Sequence, residues 1–300
     1  MSAELLKKIT DTGADVVTNE PLCKHTTFKI GGPAKYFCTV NSEVSLISLI
    51  SVLKEEDIRF FILGKGSNIL ADDNGFDGAI ITLSGDFCNC QLIDDDTIRC
   101  YSAVKLSTLC KFALENSLAG LEFAFGIPGS LGGAVYMNAG AYGGEMKNVV
   151  ASVRYLDEDG EIKELCNDRL DFRYRHSAFT DTKRVVLSAD IKLCKAEKED
   201  ISAKMNDFME RRKSKQPLEY PSAGSVFKRP EGYFAGALIE GAGLKGYTIG
   251  GAQVSEKHSG FIINCDNATC DDVKNLVKHI QDTVMKKDGV MLECEIKTLV

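Results

Sequence analysis

The sequence predicts an α+β protein with one region for a cofactor and a second for a substrate. Three observations predict it. Strand-like and helix-like patterns alternate along the first two-thirds of the 300 residues. Two glycine-rich turns break that stretch, and a tail with its own strands and helices follows.

The elements follow in order. An amphipathic segment at the start reads as a helix. Residues 27–40 (TFKIGGPAKYFCTV) alternate like a strand, with a turn at Gly31-Gly32-Pro33. Residues 42–57 carry Val44, Ile47, Ile50 and Leu53 at helical spacing, opened by Ser42 as a cap. Residues 59–63 then form a strand running into Gly64-Lys65-Gly66-Ser67-Asn68, which gives a βαβ-like unit ending in a glycine-rich turn. Short strands are expected at 79–83, 91–93 and 98–103, and a helix at 106–116. Residues 150–156 and 161–165 read as a hairpin around Asp159-Gly160, and 184–193 as a further strand. A charged helix at 196–212 opens the tail. Beyond it lie a loop at 220–230, a glycine cluster at 236–251, a strand at 261–264, a helix at 271–286 and a last strand at 290–299.

The most informative stretch is residues 120–144, GLEFAFGIPGSLGGAVYMNAGAYGG, which hold eight of the 27 glycines. No Lys or Arg lies between Lys111 and Lys147. Glycine is this dense where backbone turns with φ > 0 or comes close to a ligand. Oriented main-chain amides alone can hold a diphosphate. Phe123, Phe125, Ile127, Pro128, Val135, Tyr136 and Met137 make it a packed loop, where a flexible linker would lack them. It reads as a nucleotide-cofactor cradle. The dinucleotide fingerprint GxGxxG is absent, which disfavours a doubly wound NAD fold.

Composition excludes other classes. The net charge is −7 and basic residues form no long block, so a nucleic-acid surface is not expected. No apolar run approaches 18 residues and the N-terminus lacks a signal-peptide core, so the expectation is a soluble cytoplasmic protein without a membrane partner. The 11 cysteines have irregular spacing and no CxxC, which argues against a metal site; most read as small buried hydrophobes in a reducing compartment.

Four further sets carry candidate chemistry. Gly64-Lys65-Gly66-Ser67-Asn68 offers amides, a hydroxyl and a side-chain amide to a phosphate. Arg173 and Arg175 are expected on one side of an extended strand, suited to a carboxylate or a developing enolate. Ser225 sits in a constrained loop with Lys215, Lys228 and Arg229 about it; no nucleophile elbow surrounds it, so proton donation fits better than acyl transfer. Glu293 and Glu295 are expected on one face of the last strand.

Taken together, KHTTFKIGGPAKYF, LGKGSNIL, GLEFAFGIPGSLGGAVYMNAGAYGGE, FRYRHSAF, QPLEYPSAGSVFKRP, GGAQVSEKHSGFIIN and LECEI resemble, in the same order, the UDP-N-acetylenolpyruvoylglucosamine reductase family. These are flavin enzymes of peptidoglycan precursor synthesis. The resemblance runs from about Lys24 to Leu299, and the short tail is similar to the compact type that lacks an extra tyrosine-bearing loop. It implies a two-part FAD-binding domain of the vanillyl-alcohol-oxidase (PCMH) type, at residues 1–83 and 84–195, and an α+β substrate-binding domain at 196–300. FAD would sit between the two parts, bound non-covalently because neither loop carries His or Cys.

By the same resemblance Gly64, Lys65, Gly66, Ser67, Asn68, Gly126, Ile127, Pro128, Gly129, Gly132, Asn138 and Gly140 would contact FAD. Arg175, Ser225 and Glu295 match the catalytic trio, and Lys215 and Arg229 would meet substrate phosphates. The implied reaction passes hydride from NADPH to FAD and then to the enolpyruvyl carbon, Ser225 delivering the proton. Arg175 and Glu295 would hold the carboxylate, Glu295 in protonated form. Near the last glutamate the family usually has a proline and an arginine; this chain has Cys294 and Lys297. The expected partners are NADPH and UDP-N-acetylenolpyruvoylglucosamine, with no nucleic acid and no metal, and the expected state is a monomer. A same-fold oxidase and a sensor that kept the cradle without chemistry are the alternatives.

Overall fold

The computed structural model describes residues 3–300; residues 1 and 2, where the first predicted subdomain begins, lie outside the described residues. The chain falls into two compact units made of interleaved segments. The first comprises Met1–Val17, Tyr36–Gly64 and Gly78–Arg211, the second Thr18–Lys35, Lys65–Asp77 and Arg212–Val300. Lys65–Asp77, from within the first predicted subdomain, thus belongs to the same unit as the C-terminal segment.

In the first unit, helices α1 (Ala3–Asp11) and α2 (Glu43–Glu55) pack with a four-stranded sheet ordered Asp15–Pro21, Pro33–Val40, Phe76–Leu83, Phe60–Ile62. The unit boundary falls within the first three of these strands. Phe60–Ile62 pairs in parallel with Phe76–Leu83. The later strand therefore lies between the two that the expected βαβ unit joins. Ser42 caps α2 as predicted, its Oγ accepting from the Ser45 N–H at 3.2 Å. The buried stripe of α2 is Leu46, Leu49, Ile50 and Leu53, while Val44 is 75% exposed. The predicted face is thus rotated: α2 is apolar at most positions, so spacing alone admits two stripes, and contact with Tyr36, Cys38 and Ile81 selects one.

The rest of the first unit is an antiparallel five-stranded sheet ordered Ile162–Cys166, Val150–Leu156, Val185–Lys192, Thr97–Tyr101, Cys90–Leu92. The predicted hairpin is present, with Val153 opposite Leu165. Its turn is tied by Asp157, whose carboxylate accepts from the Asp159 and Glu161 amides at 2.9 Å each. Val185–Lys192 is central and almost wholly buried, as a strand with a neighbour on each side and helices over it requires. Helices α3 (Leu106–Glu115), α4 (Leu131–Tyr136) and the first part of α5 (Lys198–Lys215) cover the sheet through Leu106, Leu109, Leu131, Val135, Ile201 and Met205. Helix α4 was not legible in the sequence.

The second unit has an antiparallel sheet ordered Ser222–Ser225, Phe261–Asn264, Ala252–Val254, Thr248–Ile249. Helices α6 (Ala235–Gly241) and α7 (Cys270–Asp288) pack with it over a core of Val226, Ile239, Ile262, Val273, Leu276 and Ile280. Thr269 and Asp272 close a reciprocal capping box at the start of α7, with both bonds at 3.0 Å. The expected strand at 290–299 is shorter: only Lys297–Leu299 is regular, paired in parallel with Ile69–Ala71. Residues 27–32 are likewise outside any strand. Of the 11 cysteines, Cys38, Cys100, Cys110 and Cys270 are buried and five are exposed, so the expectation of mostly buried thiols is corrected.

Candidate active site

Three distant segments meet in the second unit. Phe227 bridges Cys294, the Glu295 N–H donates to the Val226 carbonyl at 2.7 Å, and the Lys228 N–H donates to the Glu293 carbonyl at 2.8 Å. These bonds set Glu295 one residue from Ser225 along a paired backbone. Asn68 joins them: its Nδ2 donates to the Glu295 carbonyl at 3.2 Å, and its own carbonyl accepts from the Lys297 N–H at 2.9 Å. The glycine-rich turn, the serine loop and the terminal glutamate, read as separate motifs, thus form one cluster.

Thr27 completes it. Its N–H donates to the Gly66 carbonyl at 3.1 Å, and its Oγ1 donates to the Ser222 carbonyl at 2.7 Å. The Ser222 N–H answers to the Thr27 carbonyl at 3.2 Å. Sequence reasoning quoted Thr27 in a motif but assigned it no task; a threonine beside an apolar run carries no signal of a bond to position 222. Gly66 is confined twice over, by φ 61° and by the His25 carbonyl, which would lie 2.2 Å from an added Cβ.

Ser225 is aimed by a bulge. Ser222 pairs with Ile263 and Ser225 with Phe261, so the register slips between them, where Gly224 takes φ 78°. A bulge of this kind turns the following side chain out of the ladder. Ser225 and Glu295 are both half-buried. The two glutamates of the last segment part ways: Glu293 is exposed and pairs with Lys228 at 3.2 Å. Lys215 ends α5 in the open, and Arg229 stacks its guanidinium 3.9 Å from the Phe234 ring centroid.

In the first unit, the central glycine segment is packed as expected, with Phe123, Ala124, Leu131, Ala134 and Val135 in the core. Its amides are partly spent. Those of Ile127, Gly129, Leu131 and Gly132 donate to Ala124, Ile127, Val104 and Ser102 carbonyls. Anion donors in this stretch must therefore be other amides. A Cβ at Gly64 would stand 2.8 Å from Ser130 Oγ, which brings the start of the first loop against the second. At Gly129 and Gly133 an added Cβ would meet nothing nearer than 3.7 Å, so backbone lies open there to an incoming group. Gly140 belongs to a two-residue hairpin, Gly140–Ala141 against Gly144–Glu145.

Arg175 is also in the first unit, on a geometry the sequence did not indicate. Residues 173–176 form a tight turn closed by paired Arg173 and His176 backbone bonds at 3.1 Å each. Arg173 and Arg175 therefore do not share a strand face. Arg173 is exposed and pairs with Asp171 at 2.7 Å, holding that carboxyl below the usual carboxylate range. Arg175 takes φ 54° at the third turn position, where glycine is usual, and lies over the Tyr174 ring at 5.0 Å. Asn138 is fully buried and its side chain is bonded to protein groups, so a cofactor contact there would fall to its neighbours.

Two family models match: the FAD binding domain over residues 34–165, and the C-terminal domain of UDP-N-acetylenolpyruvoylglucosamine reductase over residues 216–299. The chain is 51% identical over 292 residues to the reductase of that name from Caldanaerobacter subterraneus subsp. tengcongensis, covering 97% of this chain and 96% of the other. It is 47% identical to the one from Clostridioides difficile, covering 95% and 93%. The crystal structure of the Thermus caldophilus reductase superposes with a TM-score of 0.83 at 33% identity, over 96% of this chain and all of that one. An alkyldihydroxyacetonephosphate synthase shares the fold over 65% of this chain and 41% of its own, with a TM-score of 0.50 at 13% identity.

Fold and family models together define an α+β oxidoreductase with a two-part FAD-binding domain of the vanillyl-alcohol-oxidase type. The chain belongs to the UDP-N-acetylenolpyruvoylglucosamine reductase family. Among the described residues no helix is long and apolar enough to cross a membrane.

Proposed function

We propose that the chain reduces UDP-N-acetylenolpyruvoylglucosamine to UDP-N-acetylmuramate with NADPH, through non-covalently bound FAD, in the cytoplasm and as a monomer. Beyond family membership, the observation that carries this reading is the Asn68–Glu295–Val226 junction. It brings the Asn68 turn, the loop that holds Ser225 and the Glu295 segment together in one unit, which supports the reading.

The residues present fit a flavin dinucleotide. The open backbone at Gly129 and Gly133 admits a pyrophosphate, and no basic side chain is needed where amides supply the donors. Gly64, Lys65, Gly66, Ser67 and Asn68, with Gly126, Ile127, Pro128 and Gly140, would hold it. Bound there, FAD would supply the two-electron redox chemistry that links NADPH to the terminal enolpyruvyl carbon.

The chain's own part is to manage the charge and proton that this addition creates. Arg175 holds the substrate carboxylate with a planar, permanent cation, which stabilises the enolate charge as it spreads onto that carboxylate. Glu295, protonated, donates a second hydrogen bond to that carboxylate. Ser225 gives its proton to the carbon next to the carboxylate, and the hydroxyl is restored from solvent or a neighbour. Lys215 and Arg229 meet the substrate's diphosphate. An anaerobic stopped-flow experiment tests the reading: NADPH should bleach the flavin band, and the enolpyruvyl sugar nucleotide should restore it. Colourless protein that takes up no added FAD, or reduced protein that oxygen reoxidises and the sugar nucleotide does not, would overturn it.

A further inference from the structure

The turn that carries Arg175 is strained at its tip, since left-handed φ crowds the Cβ of a non-glycine residue against its own backbone. Something must hold it. The Arg173 carbonyl that closes the turn accepts twice, from the His176 N–H at 3.1 Å and from Asn138 Nδ2 at 3.0 Å. Asn138 is itself left-handed (φ 42°) and 0% exposed.

Its amide can sit only one way. Nδ2 lies between two acceptors, the Arg173 carbonyl and the Glu145 carboxylate at 2.7 Å. Oδ1 accepts the Lys147 N–H at 2.9 Å. Reversal would set oxygen against oxygen twice and N–H against N–H once. Two residues earlier, the Tyr136 carbonyl accepts from Ser177 Oγ at 2.8 Å and Thr180 Oγ1 at 3.1 Å, fastening the segment just past the turn. Both anchors come from the end of α4 and the residues after it, inside the glycine-rich segment.

We propose that Asn138 is a positioning residue for Arg175. It fixes the Arg173 carbonyl, and through it the backbone from which the guanidinium reaches the substrate carboxylate. This rests on the reading of Arg175 as the carboxylate's partner. It also gives the asparagine of the glycine-rich segment a role toward the substrate.

Asn138→Asp is the test, because aspartate keeps the size and tolerates left-handed φ while turning both donors into acceptors. In the flavin-loaded protein, bleaching by NADPH should stay within twofold of the parent, and reoxidation by the enolpyruvyl sugar nucleotide should slow at least tenfold. Calorimetric affinity for UDP-N-acetylmuramate should fall at least tenfold in both Asn138→Asp and Arg175→Ala, and the double variant should be no worse than Arg175→Ala alone. Additive losses, equal slowing of both half-reactions, or an unaffected Asn138→Asp beside an impaired Arg175→Ala would overturn the proposal. If Arg175→Ala itself changes nothing, the fault lies with the reading of Arg175. Asn138→Gly, which keeps the backbone and deletes the side chain, guards against misfolding; should both Asn138 variants fail to fold, the residue serves the whole fold and the proposal is wrong.

Discussion

Asn68 and Glu295, 227 positions apart, are joined by a hydrogen bond from Asn68 Nδ2 to the Glu295 carbonyl at 3.2 Å. Such a bond contributes about 0.5–1.5 kcal/mol, and leaving the carbonyl unsatisfied costs more. Asn68→Ala should lower the unfolding free energy by about 1 kcal/mol, read by urea denaturation. It should also slow reoxidation by the sugar nucleotide about tenfold, because Glu295 loses its tether.

Ser225→Ala should separate the two half-reactions. Flavin bleaching by NADPH should be nearly unchanged, and the second half-reaction should slow about 10²-fold or more, the usual loss for a general acid. Equal slowing of both would mean that Ser225 shapes the fold or the binding of ligands.

Gly66→Ala should be far more damaging than Gly143→Ala. Both positions have positive φ, 61° and 86°, so each change carries the left-handed penalty of about 1–2 kcal/mol. At Gly66 the new methyl also meets the His25 carbonyl, whereas at Gly143 nothing lies within 4 Å. Melting temperatures and bound flavin per chain should both fall sharply in the first variant; only a modest drop in melting temperature is expected in the second.

Acid should weaken the second unit through Asp72. Its hydrogen bond to the Lys274 ammonium at 2.8 Å, backed by the Asn74 amide, holds its carboxyl below the usual carboxylate range. A depressed carboxylate stabilises the fold fully above the unfolded-state value of about 4 and loses that contribution as pH falls through the folded one. Asp72→Asn should therefore be less stable than the parent at pH 7, and the gap should close as pH falls through the depressed folded-state value, measured by denaturant titration from neutral into acid.

Long patterned elements are readable in the sequence because propensity and burial agree in them: α2, α3, the hairpin at 150–166 and α7. Helix α4 is hidden because its first turn, Leu131-Gly132-Gly133, carries two glycines and is held by backbone hydrogen bonds to the Val104 and Ser102 carbonyls instead. The face of α2 was misread because an element apolar on two sides leaves the choice to its neighbours.

For the site, the residue types were visible and their placement was not. Ser225 and Glu295 were singled out by their strings, yet only pairing between residues 226 and 295 makes them neighbours. The sequence puts Arg175 on a strand because nothing in FRYRHSAF marks a turn: it lacks glycine, proline and asparagine. Thr27 and Asn138 act through main-chain carbonyls, which every residue owns, so composition is silent about them.

The parallel pairing of Ile69–Ala71 with Lys297–Leu299 decides when the segment that carries Glu295 can settle in place. Local folding near residue 70 cannot nucleate it, since both edges must be brought from opposite ends of a long loop, at the entropic disadvantage such closures carry. A fragment stopping at residue 296 would keep the Val226 and Asn68 bonds to Glu295 but lose the Lys297 bond to Asn68 and the strand that extends the junction, leaving the carboxyl group less firmly held. Proteolytic trimming of just the last few residues should thus silence turnover well before it unfolds the flavin region.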